Sequence, residues 1–303
     1  MRSSREKRRV WMAQARALDR RRKSVRNIRK ITRTMELIAT ARFKKAMDRS
    51  VAARDYTTQL AKILENIASV GADVAHPLLE IRPTKRTAML VLTGNRGLCG
   101  GYNGNVVRQA IALLGQWKSE QVATHLSVSG KRGISALRFR EIGVDETYTT
   151  FEDKPEFAAV APIGQAYLAA YASGQIDRLD VCYTRFEGIA KQEAVTEMLL
   201  PLAPPQAAGE PATQLASDEY DFYPSAASIL EEILPASFMA RLFKCFLDAA
   251  VSEQVARMVA MKAATENAGG LIKSLSRQYN RARQSQITGE IMEILGGVEA
   301  LKK

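Results

Sequence analysis

Cysteine and histidine, the residues that most often bind zinc or act as nucleophile and base, are scarce in this chain. Its 303 residues include three cysteines, Cys99, Cys182 and Cys245, and two histidines, His76 and His125. No two cysteines have the C-x-x-C spacing of a zinc or redox site, and an odd, widely spaced set does not indicate a disulfide framework. The sequence therefore predicts no metal site and favours a reducing, cytoplasmic compartment.

Long apolar runs are also missing. No stretch of about 18 uncharged apolar residues is present, as a membrane-spanning helix would require. The Arg-rich N-terminus lacks the apolar segment of a secretory signal. Hydrophobic residues make up 46% of the chain, and the mean hydropathy of −0.18 is ordinary for a soluble protein. We therefore expect a folded protein with a real core and no membrane span.

Proline and glycine are absent from residues 13–70. Because these two residues most often interrupt helices, the segment is predicted to form one helix of about 58 residues, roughly 85 Å long at ~1.5 Å per residue. Gly71 and Pro77 then give a stop signal. A narrow apolar stripe with three- and four-residue spacing, which suits one partner helix, is formed by Leu18, Val25, Ile28, Ile31, Met35, Ile38, Phe43, Met47 and Val51.

Positive charge is distributed unevenly along the chain. The first 55 residues hold 19 Lys and Arg against 5 Asp and Glu, whereas the whole chain holds 44 against 32. The excess therefore lies on the first predicted helix, where it would suit either a nucleic acid or an acidic protein partner. No aromatic residue lies between Arg20 and Arg33 to stack on bases, which argues against a nucleic acid.

The C-terminal segment shows a similar helical pattern. No proline follows Pro235, and apolar residues continue at three- and four-residue spacing. Around residues 260–270 the stripe consists mainly of alanine and glycine, which let a second backbone approach closely although each glycine costs about 1 kcal/mol of helix stability. The two terminal segments are therefore predicted to pair as an antiparallel, irregular coiled coil.

The segment between them, residues 84–202, alternates strand and helix patterns. Apolar runs at residues 88–93, 126–129 and 179–185 indicate buried strands, with residues 193–200 pairing beside the last of them. Amphipathic helices are predicted at residues 106–117, 130–139 and 156–172. The predicted fold class is thus α/β: a coiled coil of the N- and C-terminal helices with an inserted, open, Rossmann-like α/β domain.

The glycine-rich loop of residues 94–104 follows a strand and precedes a helix, a context that suits a phosphate cradle. It lacks the Gly-Lys-[Ser/Thr] of a P-loop and the register of G-x-G-x-x-G. A turn that needs positive φ and close strand–helix packing explains it better. A nucleotide-binding α/β enzyme therefore stays an alternative, as does a basic coiled-coil nucleic-acid-binding protein; tight ATP binding or salt-dependent DNA binding by the isolated chain would favour them.

Three segments, in order, resemble the gamma subunits of F-type ATP synthases, which form the central rotor shaft of that complex. They are SVRNIRKITRTMELI at residues 24–38, RGLCGGYN at residues 96–103 and YNRARQSQITGEIMEILGG at residues 279–297. The matching region covers nearly the whole chain from Met12.

The resemblance implies a non-catalytic subunit that couples ion flow through a membrane c-ring to ATP synthesis or hydrolysis at beta subunits. The terminal helices would turn inside a hexameric ring of alpha and beta subunits, and the inserted domain would contact the epsilon subunit and the c-ring. The protein would be peripheral to the cytoplasmic face of the bacterial inner membrane. No catalytic residue, cofactor, metal or nucleic acid is expected.

Six residues carry over by position as partner contacts. Three of them match residues of the C-terminal helix that hydrogen-bond a catch loop of one beta subunit. The other three match a segment of the first helix near an acidic lever of beta. In that order they are Arg283, Gln284 and Thr288, and Lys30, Arg33 and Met35.

The resemblance and the composition together predict five segments. The usual start of the family fits Met12-Ala13, which leaves the first residues as an extension. The segments are an N-terminal extension at 1–11, a coiled-coil helix at 12–76, the α/β domain at 84–202, a surface loop rich in proline, alanine and acidic residues at 203–225, and the C-terminal coiled-coil helix at 226–303.

Overall fold

The computed structural model describes the backbone of residues 2–69, 76–151, 154–202 and 226–301, and side chains at residues 15–64, 76–151, 154–202 and 228–298. The surface loop predicted at residues 203–225 lies outside the described residues. In chain order the elements are α1 (Arg2–Ser69), a 3₁₀-helix (Pro77–Leu79), β1 (Arg86–Leu92), α2 (Tyr102–Ser119), β2 (Ala123–Ser129), α3 (Lys131–Arg138), β3 (Glu146–Tyr148), α4 (Phe157–Ala172), β4 (Arg178–Gly188), β5 (Lys191–Leu200) and α5 (Ala226–Leu301).

The α/β fold class is confirmed, because two long terminal helices bracket a sheet with three further helices. Helix α1 begins at Arg2, so most of segment 1–11 continues the same helix. Contacts divide the chain into two compact units. We call residues 1–38 with 258–303 the helix-pair unit, and residues 39–257 the sheet unit.

The sheet unit contains one five-stranded sheet in the order β3-β2-β1-β4-β5. The first four strands in this order are parallel, and β5 pairs antiparallel with β4. The predicted pairing of residues 193–200 beside residues 179–185 is present as β4 and β5. Strand β3 was not predicted, because its three residues are too few to show an alternating pattern.

Both faces of the sheet are covered, which explains the continuous apolar run of β1. Leu90 and Leu92 face a core formed with α4 and α5, whereas Met89 and Val91 face a second core with α2 and α3. A parallel strand buried on both sides has no polar face, so it reads as unbroken hydrophobic sequence.

Parts of both terminal helices belong to the sheet unit. Within α5, apolar side chains from Leu230 to Ala249 join the core with α4 and the sheet. In the same unit, the Ser50 hydroxyl of α1 donates a hydrogen bond to Asp248 of α5 at 3.2 Å, and both residues are buried. Arg54 of α1 donates to the Phe186 carbonyl at 3.2 Å.

In the helix-pair unit α1 and α5 run antiparallel, as the sequence predicted. The Arg22 guanidinium lies 4.7 Å from the centre of the Tyr279 ring. Farther along α1, the hydroxyls of Thr32 and Thr265 are 2.9 Å apart. Ala268, from the alanine- and glycine-rich stretch, is buried in this unit, as are the larger Met261 and Leu275.

The apolar stripe predicted on α1 is only partly used for helix pairing. Ile28 is 52% exposed, Ile31 is 59% exposed and Ile38 is 47% exposed. Thr32 and Glu36 are buried instead. Thr32 and Glu36 are four residues apart and share one helix face, which is the face turned toward α5. Ile31 and Ile38 lie off this face, whereas Ile28 lies on it one turn earlier and is still half exposed.

Candidate partner-binding surface

A basic groove of about 990 Å³ runs along the helix-pair unit. Its lining contains five cations and no acidic residue, and it consists of Lys23, Arg26, Asn27, Arg29, Lys30, Arg33, Thr34, Thr265 and Ile272. The cations come from one face of α1 because they recur at three- and four-residue spacing. The basic run noted in the sequence thus forms a continuous positive surface.

The basic side chains around this groove differ in how they are neutralised. Asp19 forms ion pairs with Arg22 at 2.6 Å and with Lys23 at 3.0 Å. Hydrogen bonding to Lys23, with a contribution from Arg22, lowers the pKa of Asp19 below its ordinary value. Arg33 forms an ion pair with Glu36 at 2.7 Å.

Arg26, Arg29 and Lys30 form no ion pair with any acidic residue that the structure describes, so they present positive charge to a partner. An open groove lined by one sign of charge raises the local potential and attracts an acidic surface.

The structure brings two of the predicted N-terminal contact residues together. Lys30 and Arg33 are exposed and line the groove. Met35 is only partly exposed and lies outside the groove lining.

The predicted C-terminal contact residues, Arg283, Gln284 and Thr288, are all exposed on α5. Gln284 and Thr288 are four residues apart, so they share one helix face, whereas Arg283 points about 100° away. None of the three lines the basic groove. These residues are therefore available for a second, separate contact.

Large apolar side chains are exposed beside both sets of residues. On the C-terminal part of α5 they include Ile287, Ile291, Met292, Ile294, Leu295 and Val298, which are between 43% and 67% exposed. On α1 they include Ile28, Ile31, Leu37 and Ile38. Exposed apolar surface on this scale marks a protein-binding site. Sequence periodicity assigned several of these residues to helix pairing, because it does not distinguish an inner partner helix from an outer partner protein.

The glycine-rich loop of residues 94–104 forms a closed turn. Positive φ angles occur at Leu98 (63°) and Gly100 (56°), in accordance with the turn interpretation. The Gly94 amide donates to Asn103 Oδ1 at 2.8 Å, and Asn103 Nδ2 donates to Cys99 Sγ at 3.1 Å. Burial and the nearby Glu253 carboxylate raise the pKa of Cys99, which disfavours the thiolate that a nucleophile needs.

The space above this loop, where open α/β sheets commonly bind phosphates, is filled by α5. A Cβ placed on Gly94 would lie 2.7 Å from the carboxylate carbon of Glu253. That carboxylate is paired with Arg257 at 2.5 Å. The Glu253 side chain therefore occupies the position that a phosphate would need beside Gly94 in this conformation.

The two histidines have structural surroundings. His76 caps the 3₁₀-helix, because its Nδ1 accepts from the Leu78 amide at 3.1 Å. His125 lies 3.7 Å from Asp145 and 3.8 Å from Glu146 at the partly exposed β2–β3 edge. Among the side chains that the structure describes, no three His, Cys, Asp or Glu residues form a group able to hold a metal ion. Within the same residues, no helix has an apolar stretch long enough to span a membrane.

Solved structures with the same fold come from ATP synthases. A chain of Euglena gracilis mitochondrial ATP synthase, in a structure of OSCP/F1/c-ring in rotational state 3, has a TM-score of 0.66 and 18% identity, with 95% of each chain covered. A chain of Tetrahymena thermophila mitochondrial ATP synthase, from the central stalk/c-ring, has a TM-score of 0.58 and 21% identity. It covers 77% of the present chain and 99% of its own.

Sequence comparison supplies the family. A family model described as ATP synthase matches residues 14–301. An ATP synthase gamma chain of Rhodopirellula baltica is 58% identical over 295 residues, covering 96% of the present chain and 100% of the relative. That of Saccharopolyspora erythraea is 39% identical over 305 residues, covering 96% and 98%. The chain therefore belongs to the gamma-chain family of ATP synthases, which confirms the resemblance seen in its three motifs.

Proposed function

We propose that this chain is the central-stalk rotor of an F-type ATP synthase, in which it couples ion flow through the membrane c-ring to ATP synthesis or hydrolysis at the beta subunits. The observation that carries the proposal is the 58% identity to a gamma chain along that relative's full length. The antiparallel helix pair with exposed apolar and basic surfaces supports it, because a shaft must offer different faces to the subunits around it. As the shaft turns, each beta subunit meets a different face of it. Because these faces interact differently with the conformations of the beta subunit, its affinity for nucleotide changes with the angle of the shaft.

The chain itself is proposed to be non-catalytic, with ATP turnover taking place on the beta subunits. Two features support this. The Glu253 carboxylate fills the position above the glycine-rich loop, and burial raises the pKa of Cys99. The role left to the chain is mechanical, and no cofactor is required for it.

The first proposed contact joins the basic groove to an acidic lever segment of a beta subunit. Lys30 and Arg33 would supply positive charge, and Met35 would supply a partly exposed apolar contact beside them. Arg26 and Arg29 extend the same positive surface and were not singled out among the predicted contacts. Such a contact steers association and selects the acidic partner more than it adds affinity.

The second proposed contact joins Arg283, Gln284 and Thr288 to a catch loop of one beta subunit. All three side chains are exposed and can donate hydrogen bonds. The exposed isoleucines at positions 287 and 291 lie on the same part of α5 and would be covered by the surrounding ring.

The remaining partners are proposed to be the epsilon subunit and the c-ring, contacted by the α/β domain at residues 84–202. In this arrangement residues 12–76 and 226–303 supply the coiled coil, and the complex lies at the cytoplasmic face of the bacterial inner membrane. The chain would be attached there through its partner subunits.

Co-purification tests the proposal. The chain carries an affinity tag and is expressed at native level together with its own genome's alpha, beta and epsilon subunits. We expect one copy to be recovered with each hexameric alpha–beta ring and with epsilon. Recovery of the chain bound to nucleic acid, or without alpha and beta, would contradict the proposal.

A further inference from the structure

A second group of basic residues lies on the sheet unit. Residues 94–144 contain seven Lys and Arg but only two acidic residues, Glu120 and Glu141. The total charge conceals this excess, because acidic residues elsewhere in the chain offset it. Four of the seven cations lie on α3 or directly after it, and they are Lys131, Arg132, Arg138 and Arg140.

Helix α3 turns these cations outward. Gly133 and Leu137 are buried on the face of α3 toward the sheet, where Leu137 packs in the core shared with α2. The four cations are all exposed, and none forms an ion pair with an acidic residue that the structure describes. Helix α3 therefore presents uncompensated positive charge, which attracts an acidic surface.

An exposed aromatic residue stands among these cations. Phe139 lies between Arg138 and Arg140 and is 87% exposed. The chain at this end of α3 is closed by hydrogen bonds: the Arg140 amide donates to the Leu137 carbonyl at 2.9 Å, and the Ile142 amide donates to the same carbonyl at 3.1 Å. The ordered backbone thus holds Phe139 outward, and a side chain already held in place loses less entropy on binding a partner.

A second exposed apolar residue lies beside the other end of α3. Leu98 is 62% exposed and has a φ of 63°, a backbone region that leucine seldom adopts. Its neighbour Gly97 adjoins the first turn of α3, because a Cβ placed on Gly97 would lie 3.2 Å from Arg132 Nη2. Backbone strain of this kind persists only where the surroundings impose it, and it is frequent at binding sites.

These six residues form a surface that we call the α3 stripe. It has an apolar residue at each end and cations between them, and it consists of Leu98, Lys131, Arg132, Arg138, Phe139 and Arg140. The eight helical residues of α3 span about 12 Å, the length of two turns of a partner helix. The complementary partner carries carboxylates between two apolar side chains.

Other classes of partner match the α3 stripe less well. A nucleic acid would leave Leu98 without a counterpart, because bases stack on aromatic and not on aliphatic side chains. A membrane surface is matched by apolar side chains that enter it together on one face. Leu98 and Phe139 lie beside opposite ends of α3, with the cations between them.

We propose that the α3 stripe is a docking surface for an acidic, amphipathic helix of another protein chain. Its cations attract and orient the carboxylates of that helix, and the apolar side chains of the helix cover Leu98 and Phe139. The inference goes beyond the proposed rotor function, because no residue of the stripe belongs to either proposed contact with beta.

Site-specific photo-cross-linking in the assembled complex tests this proposal. The photoreactive amino acid p-benzoylphenylalanine replaces Phe139 in a tagged chain expressed at native level, and mass spectrometry identifies the peptide that it captures. We expect a peptide with an excess of Asp and Glu and with apolar residues at three- and four-residue spacing. The readout needs no ATP turnover, so it does not depend on the proposed rotor function.

A charge variant tests the role of the cations. Lys131→Gln with Arg132→Gln leaves the photoreactive position untouched, and we expect it to lower the cross-linking yield by roughly threefold or more, as follows when two exposed charge pairs are lost. The matched variant Lys44→Gln with Lys62→Gln removes equal charge from exposed positions of α1. Its yield is expected to equal that of the unaltered stripe.

A second position controls for proximity alone. Phe157 on α4 is half exposed, and α4 packs in the core on the other side of the sheet from α3. We expect p-benzoylphenylalanine at Phe157 not to capture the acidic peptide.

Each remaining outcome would overturn the proposal. These outcomes are the absence of a captured protein, capture of lipid or nucleic acid alone, and capture of a neutral or basic peptide. A yield that the Lys131 and Arg132 variant leaves unchanged, or that the Lys44 and Lys62 variant lowers equally, would also overturn it. So would capture of the same peptide from Phe157, because the contact would then not be specific to the α3 stripe.

Discussion

Arg283 and Gln284 lie on a part of α5 whose helix pairing does not use their side chains. Both are exposed, and neither belongs to the buried contact between the two helices of the helix-pair unit. We therefore propose that both residues bind a partner. The motif around them indicated this from the sequence alone, because polar residues of this kind do not belong to the apolar stripe.

Replacing Arg283 and Gln284 together by alanine is expected to leave the complex assembled but to reduce coupled turnover. Hydrogen bonds that involve a charged group contribute about 1.5–3 kcal/mol each. Steady-state ATP hydrolysis and synthesis by the purified complex are measured beside subunit stoichiometry. Matched alanine substitutions at Gln109 and Arg108, on the sheet unit, serve as controls. Normal rates in the double variant would show that the two residues do not bind beta.

Other residue roles could not be predicted from local pattern. Glu253 and Gly94 lie far apart in the chain, so no short window of sequence shows that one fills the space above the other. Leu98 has a φ of 63° and is 62% exposed, although leucine seldom adopts this backbone region. The sequence indicated a positive-φ turn in this loop but not that a leucine would hold it.

At the scale of elements, the terminal helices and four of the five strands were predictable because each is long or strongly apolar. Helix α1 lacks proline and glycine over its whole length, and β1 is buried on both faces. Strand β3 was missed because it is short, and the outward position of Ile28 and Ile31 was missed because periodicity alone does not identify the partner. The basic face of α1, by contrast, follows directly from the spacing of its charges.

The groove on α1 gives a prediction for association. Lys30→Gln with Arg33→Gln is expected to slow binding of the chain to the alpha–beta ring and to make the rate less dependent on salt, because exposed charges act by steering. The equilibrium loss is expected to stay within about 1 kcal/mol for each charge. Association kinetics at several salt concentrations measure both effects.

The control for this experiment removes equal charge from the sheet unit, as Lys118→Gln with Arg138→Gln, and both of these residues are exposed. The interpretation fails if the control slows association as much as the groove variant does.

Two helical glycines give a matched pair that tests helix packing in the sheet unit. A Cβ on Gly164 of α4 would collide with the Met239 sulfur of α5, whereas one on Gly115 of α2 meets nothing within 4 Å. Gly164→Ala should destabilise α4 by about 1–3 kcal/mol through overpacking. Gly115→Ala should stabilise α2 by about 1 kcal/mol through helix propensity. Hydrogen–deuterium exchange of the backbone amides in the assembled complex measures both effects: protection should fall in α4 of Gly164→Ala and rise in α2 of Gly115→Ala. The same change in protection in both variants would contradict the packing described here.

At the scale of the whole molecule, the sequence separated a helical from an α/β part, because the period of its hydrophobic residues changes from about 3.6 to continuous strand-like runs. It did not show that residues 39–64 of α1 and 226–257 of α5 belong with the sheet. That assignment depends on contacts such as Ser50 with Asp248, which join residues remote in sequence.

The first residues give a prediction at this scale. Residues 1–11 carry five Lys and Arg, and the family model begins its match at residue 14. A chain that starts at Met12 is therefore expected to assemble and turn over ATP as the full chain does. The comparison measures ATP-driven ion uptake and retention of epsilon and the c-ring. Loss of either subunit on truncation would show that the extension is a working contact.

Rotation of the chain itself tests the central claim most directly. The alpha–beta ring is fixed to a surface, and a bead is attached to an introduced cysteine at Lys118, on the exposed surface of α2. On addition of ATP the bead should turn in one direction, in steps that reflect the three-fold repetition of the ring. ATP hydrolysis by a ring that contains this chain, with the bead stationary or moving only at random, would contradict the account.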